Sequence, residues 1–550
     1  MSVAIYYHPE AYTTQGPKLM GRNAAGESFL RGFFSQSNSS EFWVQVEHLE
    51  HGRHFQETFR TFKRPEPVRV IGKNNLANLA KAGAVYFPGP GIGEHALHRA
   101  VFGHGAWSLC GVTHTTSSAR AMDALASLVT APVQPWDAVI CTSAAVKKNV
   151  TRVMQAQVDY LKDRLGVTKL VLPQLPVIPL GIHTQDFVFT NAQRSKARAA
   201  MGVDEDTLVV LFMGRLSFHA KAHPLAMYQA LEAATLASGK KVMLLECGVH
   251  ANDSIAAAFS QAAALACPNV RVLHWAGREA GKATFAWAGA DVFCSLSDNI
   301  QEAFGITPLE AMAAGLPVVV SDWDGYKDTV RDGIDGFRIP TYTPRPGLGV
   351  EHAYRHAIEI DTYDMYCGHT STLTAVDVQA AAIAFERLFK SPELRRQLGE
   401  AGRHRAAEVY DWKVIIPRYE ALWAQLSEIR TTQGQNRKSQ PHPWPARMDP
   451  FYAFADYPTG VLKEQTLLAL VDENAQAASA RIHAYGQLAM VSFAKEVLPS
   501  QNEIEIVLAA AESGPLSASA LVEKIPQLRR HFVLRSLTWF LKMGILKVMP

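Results

Sequence analysis

Long apolar runs are missing from this chain of 550 residues. No stretch of about 18 apolar residues occurs, which excludes a membrane-spanning helix on the sequence reading. Cysteine is scarce: six residues, Cys110, Cys141, Cys247, Cys267, Cys294 and Cys367, stand apart. With no Cys-x-x-Cys and no clustered histidines, a disulfide scaffold and a zinc module are both excluded, and a reducing compartment fits. Net charge is nearly absent at +3, which argues against a dedicated nucleic-acid binder but leaves room for a local basic pocket. A basic leader is lacking as well. The opening "MSVAIYYHPEAY" reads as a first strand, because His8, Pro9 and Glu10 interrupt any apolar core that a signal peptide would need. What the chain does have is 48% hydrophobic and 19% charged residues, enough to bury large cores. At about 150 residues per domain the length predicts three or four of them.

To about residue 190, apolar, β-branched runs alternate with helical patterns: "VAIYYH", "FWVQVEHL", "PVRVIG", "AVYFPG", "LCGVTH", "DAVICTS" and "LVLPQLPVIPLG". Strands that are apolar throughout, with helices between them, indicate a parallel sheet buried on both faces. The pattern restarts after "NAQRSKARAAMGVDEDT", with "LVVLFMGRL", "KKVMLLECG", "VRVLHWAG", "DVFCSLS", "LPVVVSD" and "GFRIPT" as strand candidates. The fold class is therefore α/β: two Rossmann-like, doubly wound domains, residues 1–190 and 191–430, face each other across a cleft. Long amphipathic helices close the second. Residues 431–450 read as a polar, proline-containing linker, and 451–550 as a mainly helical module with a winged-helix outline. Lys plus Arg roughly equal Asp plus Glu in that module, so protein contact or self-association is favoured over nucleic acid.

The stretch "SDNIQEAFGITPLEAMAAGLPVVVSDWDGY" concentrates the chemistry. Pro308 in a first turn and Gly315 past the end punctuate a helix, so the amides of Gly305, Ile306 and Thr307 face outward as an anion site. Glu310, one turn in, suits two ribose hydroxyls, and Glu302, on the preceding loop, reaches another part of the same ligand. Taken alone, such a glutamate pair is more often solvated. Upstream, in "LFMGRLSFHAKAHPLAM", Arg215 and Lys221 follow a strand end, and a planar fork with a compact charge suits a pyrophosphate. Isolated, they too would be ordinary loop charges. Together, the amides, two cations and a carboxylate describe a nucleoside diphosphate site.

"GRLSFHAK", followed about 80 residues on by "QEAFGITPLEAMAAGLPVVVSD", resembles the retaining family 4 glycosyltransferases (glycosyl transferases group 1) of the GT-B fold. The likeness covers roughly residues 1 to 430. It implies that Arg215 and Lys221 neutralise the donor diphosphate, Glu310 binds the ribose and Glu302 meets the transferred sugar. On the acceptor side it implies a glycine loop in "TTQGPKLMGRNAAG", with Gly21 favoured over Gly16, and a cleft histidine, His114, with His104 as competitor. Without the resemblance, His114 reads rather as a hydrogen-bonded core histidine. Leu180 and His183 stand where Asn and Asp are frequent, Asp298 where many relatives have none, and "DWDGYKDTV" where a glycine pair is frequent. The last two departures are expected to tune sugar choice. "EHAYRHAIEIDTYDMYCGHTST" is an insertion without an assignment.

The implied activity is hexosyl transfer from a nucleotide sugar to a glycan or lipid-linked acceptor with retention, in the cytoplasm or at the inner membrane face. No cofactor or metal is required, since two cations do a divalent ion's work. A GT-B epimerase or phosphorylase, or a scaffold presenting residues 451–550 to a partner, are the competing readings.

Overall fold

The structure is a computed structural model that describes residues 2–14, 21–277, 279, 281–434 and 444–550. It divides into two compact units, Met1–Trp444 and Pro445–Pro550.

The first unit holds two six-stranded parallel sheets. In the first sheet, β1 (Ala4–Tyr6), β2 (Phe42–Gln45), β3 (Val68–Ile71), β4 (Ala84–Tyr86), β5 (Ser108–Val112) and β6 (Ala138–Ile140) lie in the order β3-β2-β1-β4-β5-β6. The second comprises β7 (Leu208–Met213), β8 (Val242–Gly248), β9 (Arg271–Ala276), β10 (Val292–Ser295), β11 (Val318–Ser321) and β12 (Gly336–Ile339), in the order β9-β8-β7-β10-β11-β12. Each order reverses once, beside β1 and beside β7, and ligands of open sheets bind outside the carboxyl ends at such a reversal. β5 and β10 are buried along their whole length, which accounts for their continuous apolar sequences.

"LVLPQLPVIPLG" departs from its expected strand. Only single bridges form, Ala138 with Gln174 and Cys141 with Val177. Pro173, Pro176 and Pro179 remove the amide donors that a ladder requires. The helix Trp412–Gln433, which closes the second domain in the sequence reading, instead packs into the first domain's core. Trp412, Ile415, Tyr419 and Trp423 lie there with Phe29, Phe33 and Tyr86. The chain returns beside its own outward crossing: the Ile182 amide donates to the Tyr410 carbonyl at 2.8 Å and the Trp412 amide to the Ile182 carbonyl at 3.1 Å. Trp412 fits only because Gly32 and Gly181 flank it, where a Cβ would stand 2.6 and 2.5 Å from its ring.

In the second unit the central strand Leu467–Leu470 pairs antiparallel with Leu516–Ser517 and Leu546–Val548. Helices Gln501–Ala511, Ala518–Leu521 and Gln527–Lys542 follow the helix, short helix, long helix succession of the sequence outline. The central strand comes from upstream of that outline. A Ser500–Glu503 capping box starts the first of these helices, and Arg529 clamps Glu503 with bonds of 2.8 and 3.0 Å. Among the described residues no helix is long and apolar enough to cross a membrane.

Candidate functional site

β10 ends at Ser295, and the chain then runs through Ser297–Phe304 to the helix Ile306–Ala313. Gly305 makes this turn with φ of +79°, and a Cβ there would lie 1.9 Å from the Tyr326 ring. Only glycine meets both demands. At the helix start the Thr307 hydroxyl is buried with no hydrogen-bond partner. The outward amides and an unpaired hydroxyl suit an anion with several acceptor oxygens. One turn on, nothing among the described residues donates to the Glu310 carboxylate, and burial pushes its pKa up to about 7. A carboxyl held this way gains most from a ligand that brings hydroxyl donors.

The cations enter from the loop after β7. Arg215 donates to the side-chain carbonyl of Gln301, and to the Ala220 carbonyl at 3.2 Å, while Lys221 pairs with Glu302. Two consecutive residues thus receive the two cations, one each. The side chains of Lys221 and Glu302 are 22% and 10% exposed, so the pair sits in the wall of the cleft rather than on open surface. Burial pushes the Glu302 pKa up, but the Lys221 ammonium and the amides of Ala303 and Phe304 outweigh it and hold the carboxyl below its ordinary value. Glu302 is therefore ionised at neutral pH while Glu310 is poised to titrate there.

The cation loop is stapled from β10. Ser297 donates to the Lys221 carbonyl at 3.3 Å, Asn299 to the His219 carbonyl at 2.9 Å, and Asp298 accepts from the His223 amide at 3.2 Å. Asp298, expected to tune sugar choice, is buried and spent on this staple. "DWDGYKDTV" likewise faces the other domain. Asp324 accepts from the Ser143 hydroxyl at 2.9 Å and Asp328 from the Ala144 amide at 2.6 Å, both at the start of the helix Ala144–Leu165. Asp328, on the first amide of that helix, complements the helix dipole. Asp-x-Asp occurs at Asp204/Asp206 and Asp322/Asp324, yet no metal-binding group of three His, Cys, Asp or Glu exists among the described residues.

On the first-domain side, β5 ends at Val112 and His114 lies two residues on, at the carboxyl end. Burial lowers its pKa to about 4 and Arg22 adds to the depression, so the ring is neutral at pH 7. His104 lies before β5, at the opposite end of the strand, where its carbonyl accepts from the Trp136 indole at 3.1 Å. Gly21 opens the helix Gly21–Gln36, with open space where its side chain would be. Gly16 lies outside the described residues. Arg22, beside His114, went unnoticed in the sequence because one arginine after a glycine carries no pattern.

Two further residues escaped the sequence reading. Gln301 is the acceptor for Arg215, and its own amide nitrogen donates to the Tyr363 hydroxyl at 3.0 Å. Tyr363 belongs to the unassigned insertion and also meets the Ser117 hydroxyl of the first domain at 3.1 Å.

Residues 193–345 match the family described as glycosyl transferases group 1. A phosphatidyl-myo-inositol mannosyltransferase of Mycobacterium leprae is 34% identical over 157 residues, 28% of this chain and 32% of that protein. An alpha-maltose-1-phosphate synthase of Mycolicibacterium smegmatis is 25% identical over 381 residues, covering 64% of this chain and 82% of the relative. The chain spans about a third of the length of the mannosyltransferase it matches. Among solved structures, Anabaena HepE in complex with UDP aligns over 77% of this chain and 100% of its own, with a TM-score of 0.51 at 15% identity, a likeness of fold. The fold is GT-B, two Rossmann-like domains about a cleft.

Proposed function

We propose that this chain, whose residues 193–345 match the glycosyl transferases group 1 family, transfers a hexose-type sugar from a nucleotide-diphosphate sugar to a glycan or lipid-linked acceptor, with retention of anomeric configuration. The observation that carries the reading is the convergence of Arg215, Lys221 and the Gly305–Thr307 helix start, bound together through Gln301 and Glu302. Such a site takes a diphosphate by the cations and amides, and a ribose by Glu310. The relative named as a mannosyltransferase of phosphatidyl-myo-inositol supports a hexose donor and a lipid-linked acceptor. On this reading the enzyme works in the cytoplasm, at the membrane face that carries such acceptors.

In the reaction the bond between the anomeric carbon and the diphosphate oxygen breaks, and negative charge grows on the departing phosphate. Arg215, Lys221 and the helix amides are already aimed at that charge, so they stabilise the transition state without reorganising. Glu302 holds Lys221 in place and turns its other face to the sugar hydroxyls. The acceptor hydroxyl attacks from the face the phosphate leaves and gives its proton to a phosphate oxygen, which retains configuration. Neither nearby carboxylate is a free nucleophile in the manner of a retaining glycosidase: Asp298 accepts from the cation loop and Glu302 pairs with Lys221. His114, neutral across the cleft, accepts or donates a hydrogen bond to a sugar hydroxyl or the departing phosphate. The cations fill the role of a divalent ion.

A screen of nucleotide sugars by thermal shift identifies the donor, since ligand at 100 times its Kd adds about 2.7 kcal/mol. With that donor, Arg215→Ala and Lys221→Ala should each lower kcat by roughly 10² or more. Wild-type turnover in both variants would sink the assignment.

A further inference from the structure

The insertion after β12 is a closed lobe rather than a loose loop. Strands Thr341–Tyr342 and Ala375–Val376 clip its two ends together. Inside, the buried Asp361 accepts from Arg355 at 3.0 and 2.7 Å and contacts His369 at 3.1 Å. Its second helix, Tyr363–Thr372, is wedged against the cation loop: a Cβ on Gly368 would stand 3.0 Å from that of His219. Tyr363, at the start of this helix, is thereby delivered into the cleft.

The Gln301 hydrogen bonds there have a forced direction. Arg215 has only donors, so the Gln301 amide must turn its oxygen to the guanidinium and its nitrogen to Tyr363. The Tyr363 oxygen accepts that bond at 3.0 Å, and the same hydroxyl meets the Ser117 hydroxyl at 3.1 Å. Ser117 is buried on the first-domain loop that also carries His114, and it is braced by Thr115 at 3.2 Å. The Gln301 backbone is fixed in turn by Asn299, whose side chain accepts from its amide at 3.0 Å. The chain Arg215, Gln301, Tyr363, Ser117 therefore runs from the diphosphate cation to the opposite domain.

We propose that Tyr363 is a positioning residue that sets Arg215 through Gln301, and that Ser117 makes this setting conditional on closure of the two domains. The inference rests on the reading of Arg215 as the diphosphate cation. When the cleft opens, Tyr363 loses Ser117, the Gln301 amide loses its fixed partner, and the guanidinium is no longer held toward the phosphate. The insertion thus supplies a check that the acceptor side is in place before the leaving group is stabilised.

The test measures calorimetric affinity for UDP and for GDP, as probes, in the full chain. Whichever probe binds better is carried through Tyr363→Phe, Arg215→Ala, the double variant, and Ser117→Ala. Loss of one neutral hydrogen bond predicts about fivefold weaker binding in Tyr363→Phe. In the Arg215→Ala background the same substitution should cause no further loss, a coupling that a merely structural tyrosine would not produce. Ser117→Ala, which keeps the lobe intact, should weaken binding in the same sense by about twofold. Equal losses in both backgrounds, or none in either Tyr363→Phe or Ser117→Ala, would overturn the inference while leaving the diphosphate reading standing. If Arg215→Ala itself binds as wild type does, or neither probe binds, the reading beneath it falls and the inference with it.

Discussion

The two Rossmann-like domains of the first unit share a strand order and differ in what their residues do. The first domain is built on rings: Phe29, Phe33, Phe34, Phe42, Tyr86, Trp412 and Trp423 pack in one core. The second mixes aliphatic and small side chains with scattered rings such as Trp275, Phe293 and Tyr326, and sets the charges of its cleft on two loops after β7 and β10. At the cleft it is the second domain that contributes the Lys221–Glu302 ion pair. The chemistry is therefore concentrated where the chain passes directly from strand end to helix start, and the first domain acts on it through few contacts.

Trp412→Ala probes the packing side of this contrast and should have the largest effect. Truncating a fully buried tryptophan costs about 3–5 kcal/mol, and its indole bond to Ser28, 2.8 Å long, is lost too. Differential scanning calorimetry should show the first unit unfolding well below its wild-type Tm. An unchanged Tm would mean that the ring core does not anchor this helix.

Glu310→Gln probes the ionic side, with an intermediate effect of about tenfold on nucleoside diphosphate affinity. The pH dependence sharpens it. In the free protein the Glu310 pKa is raised from 4.5 to about 7, so its neutral form is favoured on folding. Its contribution to stability is full below 4.5 and declines as pH rises to about 7. Ribose hydroxyls favour the charged form, so binding should tighten from pH 6 to 8 and release a proton. Calorimetry in buffers of differing ionisation enthalpy reads that proton, and Glu310→Gln should abolish the dependence. A wild-type binding enthalpy that ignores the buffer at pH 6.5 would count against the role.

Asp324→Asn crosses between the domains and should have the smallest effect. Burial, with the nearby Glu302 charge, raises the Asp324 pKa to about 8 although Ser143 opposes it. Below about pH 4, where the carboxyl is neutral in both states, the variant should differ in stability by less than about 1 kcal/mol. As pH rises from about 4 to about 8 the wild type loses what the neutral carboxyl contributed, and the variant does not. A Tm gap that fails to widen in favour of the variant from about pH 4 to about pH 8 would remove Asp324 from the domain contact.

The same contrast explains what the sequence made legible. The placement of Gly305, Glu310 and the cation pair could be read because they follow a strand end or open a helix in a fixed pattern. Tyr363 could not, since its partners Ser117 and Gln301 lie 246 and 62 positions away. The bond from the His223 amide to Asp298 was not legible, because a buried carboxylate that receives a backbone amide looks, in sequence, like one that faces a ligand. The sheets were visible from their continuous apolar runs. The domain to which the helix Trp412–Gln433 belongs was not, because an amphipathic stripe does not say which core it meets.

Ile182 and Trp412 mark the two crossings between the domains. The polypeptide passes between the domains twice, and both passages lie side by side, bonded amide to carbonyl. A single thread would let the halves swivel freely. Two parallel threads, clamped at one end by a tryptophan seated between glycines, resist torsion and leave bending as the soft degree of freedom. A swing of the domains on two such pins would follow one path and return Ser117 to the same place.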